Sequence, residues 1–271
     1  MRLKNKFIGG NTMKKIAKKD LNQNIYLSEG NIVLKQNEDY GFLVFNLIAR
    51  ECCPYATDLC KKVCYGRGSQ ELFKHVYNVR KNNFEESLKD TFVSDMINII
   101  NFNLQRKKYK NKTILFRIHE TGDFYSQEYT DKWFDIVNYF KNENRIIFQC
   151  YTKSLPFIKD KEFLSNFKIM YSIMPDTKDE DIEVAKGLGL NTFTAMPVRD
   201  FEQLENEDIK CKGDCSKCKE CYIGNKDMIV EFHGSRCGSL ARSEYKKREG
   251  KKSVYGDIGN REMIKTKMQN K

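Results

Sequence analysis

The chain has 271 residues, and 48 Lys and Arg against 37 Asp and Glu give it a net charge of +11, with 40% hydrophobic residues and ten cysteines. This describes a soluble globular protein with a real core and excludes a largely disordered chain. No apolar run approaches the roughly 20 residues that cross a bilayer, and the Lys-rich start has no apolar segment behind it, so neither a membrane span nor a secretory signal is expected.

In chain order, a basic arm over 1–24 precedes a single body over 25–245, and a basic tail over 246–271 follows it. Within the body, strands are expected near 31–34 and 41–47, and a long helical region over about 69–107, broken at most once. Next come a strand at 113–118, a helix at 127–140 with Trp133, Ile136, Val137 and Phe140 on one face, and a strand at 145–151. A short helix near 155–160, a strand at 167–173, a helix at 178–188, a strand at 191–195 and a late strand at 228–232 complete the series. Strands alternating with helices imply parallel βαβ units, and TILF and RIIFQ suit strands buried on both faces. The expected fold is α/β: a (β/α) TIM-like barrel or partial barrel, with Cys-rich loops at the C-terminal face of its strands. An open doubly wound sheet is the alternative, although no Gly-rich dinucleotide fingerprint follows an early strand.

Eight of the ten cysteines fall into two groups. In the reducing cytosol, where the protein is expected to reside, thiolates packed this closely point to metal or iron–sulfur ligation rather than disulfides. The first group reads ECCPYATDLCKKVCYG. Its ligand candidates are Cys53, Cys60 and Cys64, with Cys52 a weaker one because adjacent side chains diverge. Three thiolates leave one iron of a [4Fe–4S] cluster open. The second group, Cys211, Cys215, Cys218 and Cys221, suits a closed [4Fe–4S] cluster or a four-Cys zinc site. Cys237 and His233 are further candidate ligands near it, and Cys150 reads as a buried thiol.

The other chemically dense segments follow strand ends. RIHETGDFYS offers His119, Glu120 and Asp123 as acid–base candidates, with Gly122 letting backbone approach a bound molecule and Arg117 open to either an ion pair or a site role. YTK at the end of the next strand offers Thr152 as a cofactor contact and Lys153 as a catalytic or anion-neutralising group.

CPYATDLCKKVCYG, then RIHETGDFYSQEYTDKW, then YTKSLPF, then the Cys quartet, in that order, resemble the gene product eighty-eight family of phage and plasmid proteins, over about 45–237. The resemblance implies a protein of a mobile element acting in the bacterial host cytosol. More distantly, Cys60-x3-Cys64-Tyr65 resembles the end of the cluster loop of phage radical S-adenosylmethionine-like barrel proteins. That likeness implies a [4Fe–4S] cluster, S-adenosylmethionine as a cofactor and Tyr65 as a cofactor contact.

The expected function is therefore an iron–sulfur redox or radical S-adenosylmethionine-like enzyme with one or two clusters, acting on a small-molecule or nucleotide substrate. Two alternatives stand beside it. One is a zinc protein that binds nucleic acid through its basic surface, Lys210, Lys212, Lys217 and Lys219 included. The other is a non-catalytic iron–sulfur redox sensor.

Overall fold

The computed structural model describes residues 16–30 and 32–232. It is a mixed α/β fold built on one seven-stranded sheet. The elements run β1 (Leu27–Ser28), α1 (Ile32–Lys35), β2 (Tyr40–Phe45), α2 (Asp58–Lys62), α3 (Tyr65–Leu72), α4 (Lys74–Ser87), α5 (Phe92–Gln105) and β3 (Thr113–Ile118). They continue α6 (Gln127–Tyr139), β4 (Ile146–Thr152), α7 (Leu155–Ile158), β5 (Phe167–Ile173), α8 (Asp179–Gly187), β6 (Asn191–Met196), α9 (Val198–Glu202), α10 (Glu220–Ile223) and β7 (Met228–Glu231).

The spatial order of the strands equals their sequence order, with β1 antiparallel to β2 and every later pair parallel. Each crossover thus steps in the same direction, and right-handed connections then lay their helices on one face of the sheet. Leu43, Phe45, Ile114, Phe116, Ile118 and Phe148 from that face pack with Phe92, Met96 and Ile100 of α5 and with Trp133, Ile136 and Val137 of α6. Trp133 is fully buried, its ring 5.4 Å from Phe45 and 5.7 Å from Phe92 and Phe116. The apolar stripe expected on this helix is the stripe that the core receives.

A monotonic parallel order is what a barrel requires, yet the sheet is not closed: among the described residues β7 pairs with β6 and with no strand at the other edge. The helix-free face is covered instead by the segment 210–225. Tyr222 of α10 and Cys215 pack there with Phe42, Leu115 and Ile147. The face that a closed barrel would turn inward is thus covered by a piece of the chain itself.

Three further expectations shift. Gly30 sits at φ 75, which ends the extended run of β1, so 32–35 form one helical turn where a strand was expected. The helical region begins at Tyr65 and is broken twice, at Phe73, which is extended at ψ 103, and again over 88–91. Part of the basic arm is docked, since Asn22 donates to Glu86 at 2.8 Å and to Asp95 at 2.9 Å. Residues 1–15, the tail from 246, and the candidate ligands His233 and Cys237 lie outside the described residues. No helix among the described residues is long and apolar enough to cross a membrane.

Candidate functional site

Parallel strands present all their carboxyl ends on one edge, and loops after those ends build sites there. A cavity of about 190 Å³ opens at that edge. Its lining includes Cys53, Cys60, Cys64 and Tyr65 from the first cysteine loop, Arg117 from β3, Lys153 after β4, and Ser172 from β5.

The first cysteine loop is pinned from several sides. Thr57 caps α2 by accepting from the Cys60 backbone N–H at 3.1 Å, and Asp176 accepts from the Leu59 N–H at 2.7 Å. Gly66 lies so close to the β3 loop that a Cβ there would stand 2.3 Å from the Thr121 methyl, and the buried Arg80 donates to its carbonyl at 2.7 Å. Glycine is required at this approach. The adjacent cysteines separate: Cys52 is buried in the main core, its thiol pushed up to about 12 by burial, whereas Cys53 faces the cavity. Burial raises Cys53 and Cys60 as well. Cys53 lies within the field of Asp123, Cys60 and Cys64, and Cys60 within that of Lys153, which lowers it in part.

The segment after β3 is placed differently from its sequence reading. His119 adopts φ 69 and is among the residues that line the cavity, its imidazole packed against Phe45, Phe124, Tyr129 and Trp133. Its Nε2 meets the Tyr129 hydroxyl at 2.7 Å, and burial beside Arg117 lowers its pKa to about 3. The imidazole is therefore held in its neutral form. Asp123 is buried and accepts from the Thr152 hydroxyl at 2.6 Å, the Lys153 N–H at 2.9 Å and the Phe124 N–H at 2.7 Å. Burial nonetheless raises its pKa. Its lone pairs hold the end of β4 while it also lines the cavity, and Thr152 is engaged in the same contact, outside the cavity lining.

Gly122, at φ 90, lines the cavity, but its constraint comes from Leu47, 2.6 Å from where a Cβ would stand. Glu120 is exposed, with Asn46 accepting from its N–H at 2.8 Å and donating to its carboxylate at 3.4 Å. Tyr65 donates its hydroxyl to the Glu120 carbonyl. Lys153 keeps the position expected of it: 8% exposed, it lines the cavity and donates to the Ser172 carbonyl at 2.8 Å and hydroxyl at 2.6 Å.

The second cysteine group does not sit at the strand ends. It lies in the segment that crosses the helix-free face, where the Cys211 N–H donates to the Ile229 carbonyl of β7 at 2.7 Å and Asn37 donates to the Ser216 carbonyl at 2.9 Å. The thiols of this group are mutually close, since Cys221 feels the fields of Cys211, Cys215 and Cys218 after a larger burial effect that raises it to about 12. Its contact with the cavity runs through β3 and β4. Tyr151 hydrogen-bonds Cys221, and the Arg117 guanidinium lies 4.8 Å from the Tyr151 ring centre and lowers Cys211 and Cys215 against their burial. Arg117 and Tyr151 both line the cavity. Sequence reading left Arg117 undecided and passed over Arg80, Asn46 and Asp176. Only the arginine within the apolar run TILFRI, an unusual residue there, signalled that position.

Among the described residues, no group of three or more His, Cys, Asp or Glu side chains is arranged to hold a metal ion.

The family model described as gene product 88 matches residues 6–244. The chain belongs to the gene product 88 family. It is similar to the Gene 88 protein of Mycobacterium phage D29, 28% identical over 198 residues that cover 65% of this chain and 80% of that protein. It is similar to the Gene 88 protein of Mycobacterium phage L5 as well, 28% identical over 203 residues with the same two shares. No solved structure matches the chain. The family match spans both cysteine groups and the cavity at the ends of β3 to β7, so the whole candidate site falls within it.

Proposed function

We propose that the cavity holds a [4Fe–4S] cluster on Cys53, Cys60 and Cys64, that Cys211, Cys215, Cys218 and Cys221 hold a second, and that the protein is a redox enzyme on a partial barrel. The observation that carries this reading is the convergence of three thiols from one loop on a single strand-end cavity, with the fourth thiol of that loop turned into the core. The donor chemistry fits. Buried thiols in each other's field stay protonated unless a cation joins them, and soft thiolates select iron–sulfur clusters and zinc. Zinc requires sulfurs meeting at about 2.3 Å from one point, whereas a cluster takes one thiolate per iron and tolerates wider spacing.

A bound cluster would supply one-electron transfer. The residues of this chain do the rest: Lys153 offsets thiolate charge beside Cys60, Asp123 fixes the backbone of Lys153, and Tyr151 and Arg117 join the cavity to the second cysteine group. S-adenosylmethionine or a small-molecule substrate would enter beside these side chains, in the cytosol of a phage-infected host. Among the described residues, three of the lysines that motivate the nucleic-acid reading are already engaged. Of the four lysines around the second loop, Lys210 pairs with Glu207, Lys217 with Asp214, and Lys219 lies over Tyr40.

The test is anaerobic purification followed by iron and acid-labile sulfide assay, then reduction in the presence of S-adenosylmethionine. Iron and sulfide in equal amounts support the cluster, and zinc without sulfide removes it. Reductive cleavage of S-adenosylmethionine supports the radical enzyme; a coloured protein that leaves it intact, with no electron passed to any acceptor, supports the sensor.

A further inference from the structure

Among the described residues Arg117 makes no ion pair with a carboxylate. It is one of two basic side chains, with Lys153, that line the cavity on which the thiols converge. Among the described residues neither is ion-paired to a carboxylate: Lys153 spends its ammonium on Ser172, and the hydrogen bond of Arg117 is a long one, from Nε to the His119 carbonyl at 3.3 Å. Tyr151 and Tyr222 are buried and raised, so they stay phenols, and the exposed Glu120 carboxylate, whose field reaches Arg117, makes no ion pair with it. Gln149, its register partner on β4, is fully buried with neither amide atom bonded and accepts nothing from it. One face of the guanidinium is occupied by the Tyr151 ring at 4.8 Å, which fixes its plane and leaves its planar edge of N–H donors for a ligand.

We propose that Arg117 anchors the ligand of this cavity by an oxyanion, a carboxylate or phosphate gripped by two parallel N–H donors, with the Lys153 ammonium supplying a second positive charge. A half-buried guanidinium with no ion-pair partner is costly, and a bidentate oxyanion is the partner whose geometry matches its fork. A cavity of about 190 Å³ has room for a small carboxylate or the phosphorylated end of a larger molecule that projects into solvent. The inference rests on reading this cavity as the working site, and it does not depend on which metal the thiols hold.

The experiment is calorimetric titration of the full chain with inorganic phosphate and, separately, with acetate, at constant ionic strength. The expected result is saturable one-site binding of at least one of the two, and whichever binds tighter assigns the carboxylate or phosphate source. Arg117→Lys, which keeps the charge and loses the fork, weakens it by about tenfold or more, and Arg117→Met abolishes it. Lys141→Met, which removes a charge at an exposed position, leaves it unchanged. Absence of saturable binding by the unaltered protein overturns the proposal, as does binding that survives in Arg117→Met. Survival accompanied by metal loss from Arg117→Met would assign Arg117 to the second cysteine group instead. Iron assayed in the same samples separates the two readings: oxyanion binding without iron leaves this inference and removes the cluster, and iron without oxyanion binding does the reverse.

Discussion

Cys52 and Cys53 are neighbours in the chain with opposite surroundings. Cys52 is 2% exposed among core side chains, and Cys53 lines the cavity with Cys60 and Cys64. Cys52→Ala is expected to cost about 1 kcal/mol in urea unfolding while iron content holds, because it removes a small buried side chain. Cys60→Ala is expected to do the opposite, losing iron with little change in the metal-free unfolding midpoint; equal iron in both variants would contradict the assignment. His119 supplies a second residue-level prediction. Its pKa falls from 6.5 to about 3 on folding, so the unfolded state takes up the proton first as pH drops, and the stability present above pH 6.5 is lost progressively below it. Between pH 7 and pH 5 the stability advantage of the natural chain over His119→Gln should narrow by about 2 kcal/mol in urea melts, and a constant gap would refute a neutral buried imidazole. These two residues also show the limit of sequence reading. Their positions at strand ends were legible from the pattern of apolar runs, but the direction of each side chain was not. The φ of 69 at His119 and the hydrogen bonds converging on Asp123 arise from Tyr129, Thr152 and Lys153, partners that no local pattern announces.

Among elements, the strands from β2 onward and the α6 stripe followed their periodicity because local preference and burial agree there. The segment 210–225 did not. Its four cysteines suggest a metal loop by spacing alone, and nothing in that spacing says that it lies across the face opposite α5 and α6 rather than at the strand ends. Tyr222 carries that placement, in edge contact with Phe42 at 6.3 Å between ring centres and fully buried. Tyr222→Ala is therefore expected to lower stability by about 3 kcal/mol, since it uncovers Phe42 and Leu115, and the loss should appear in metal-free protein as well. A change within about 0.5 kcal/mol, the range of ordinary surface substitutions, would mean that the segment does not cover the sheet.

At the scale of the molecule, one architectural fact organises the rest. A parallel sheet wound in sequence order places its helices on one face and its strand ends on one edge, and it leaves the other face to be filled. Here the filling is a cysteine-bearing segment and the edge carries a second cysteine group, so one fold brings two thiol sets to either side of Arg117 and Tyr151. The charge of +11 has no comparable focus in the described residues. The most direct measurement is electron paramagnetic resonance of the anaerobically purified, dithionite-reduced protein. Two reduced-cluster signals are predicted, of which one disappears in Cys60→Ala and the other in Cys218→Ala. A silent spectrum from a protein that contains zinc and no sulfide would contradict the account.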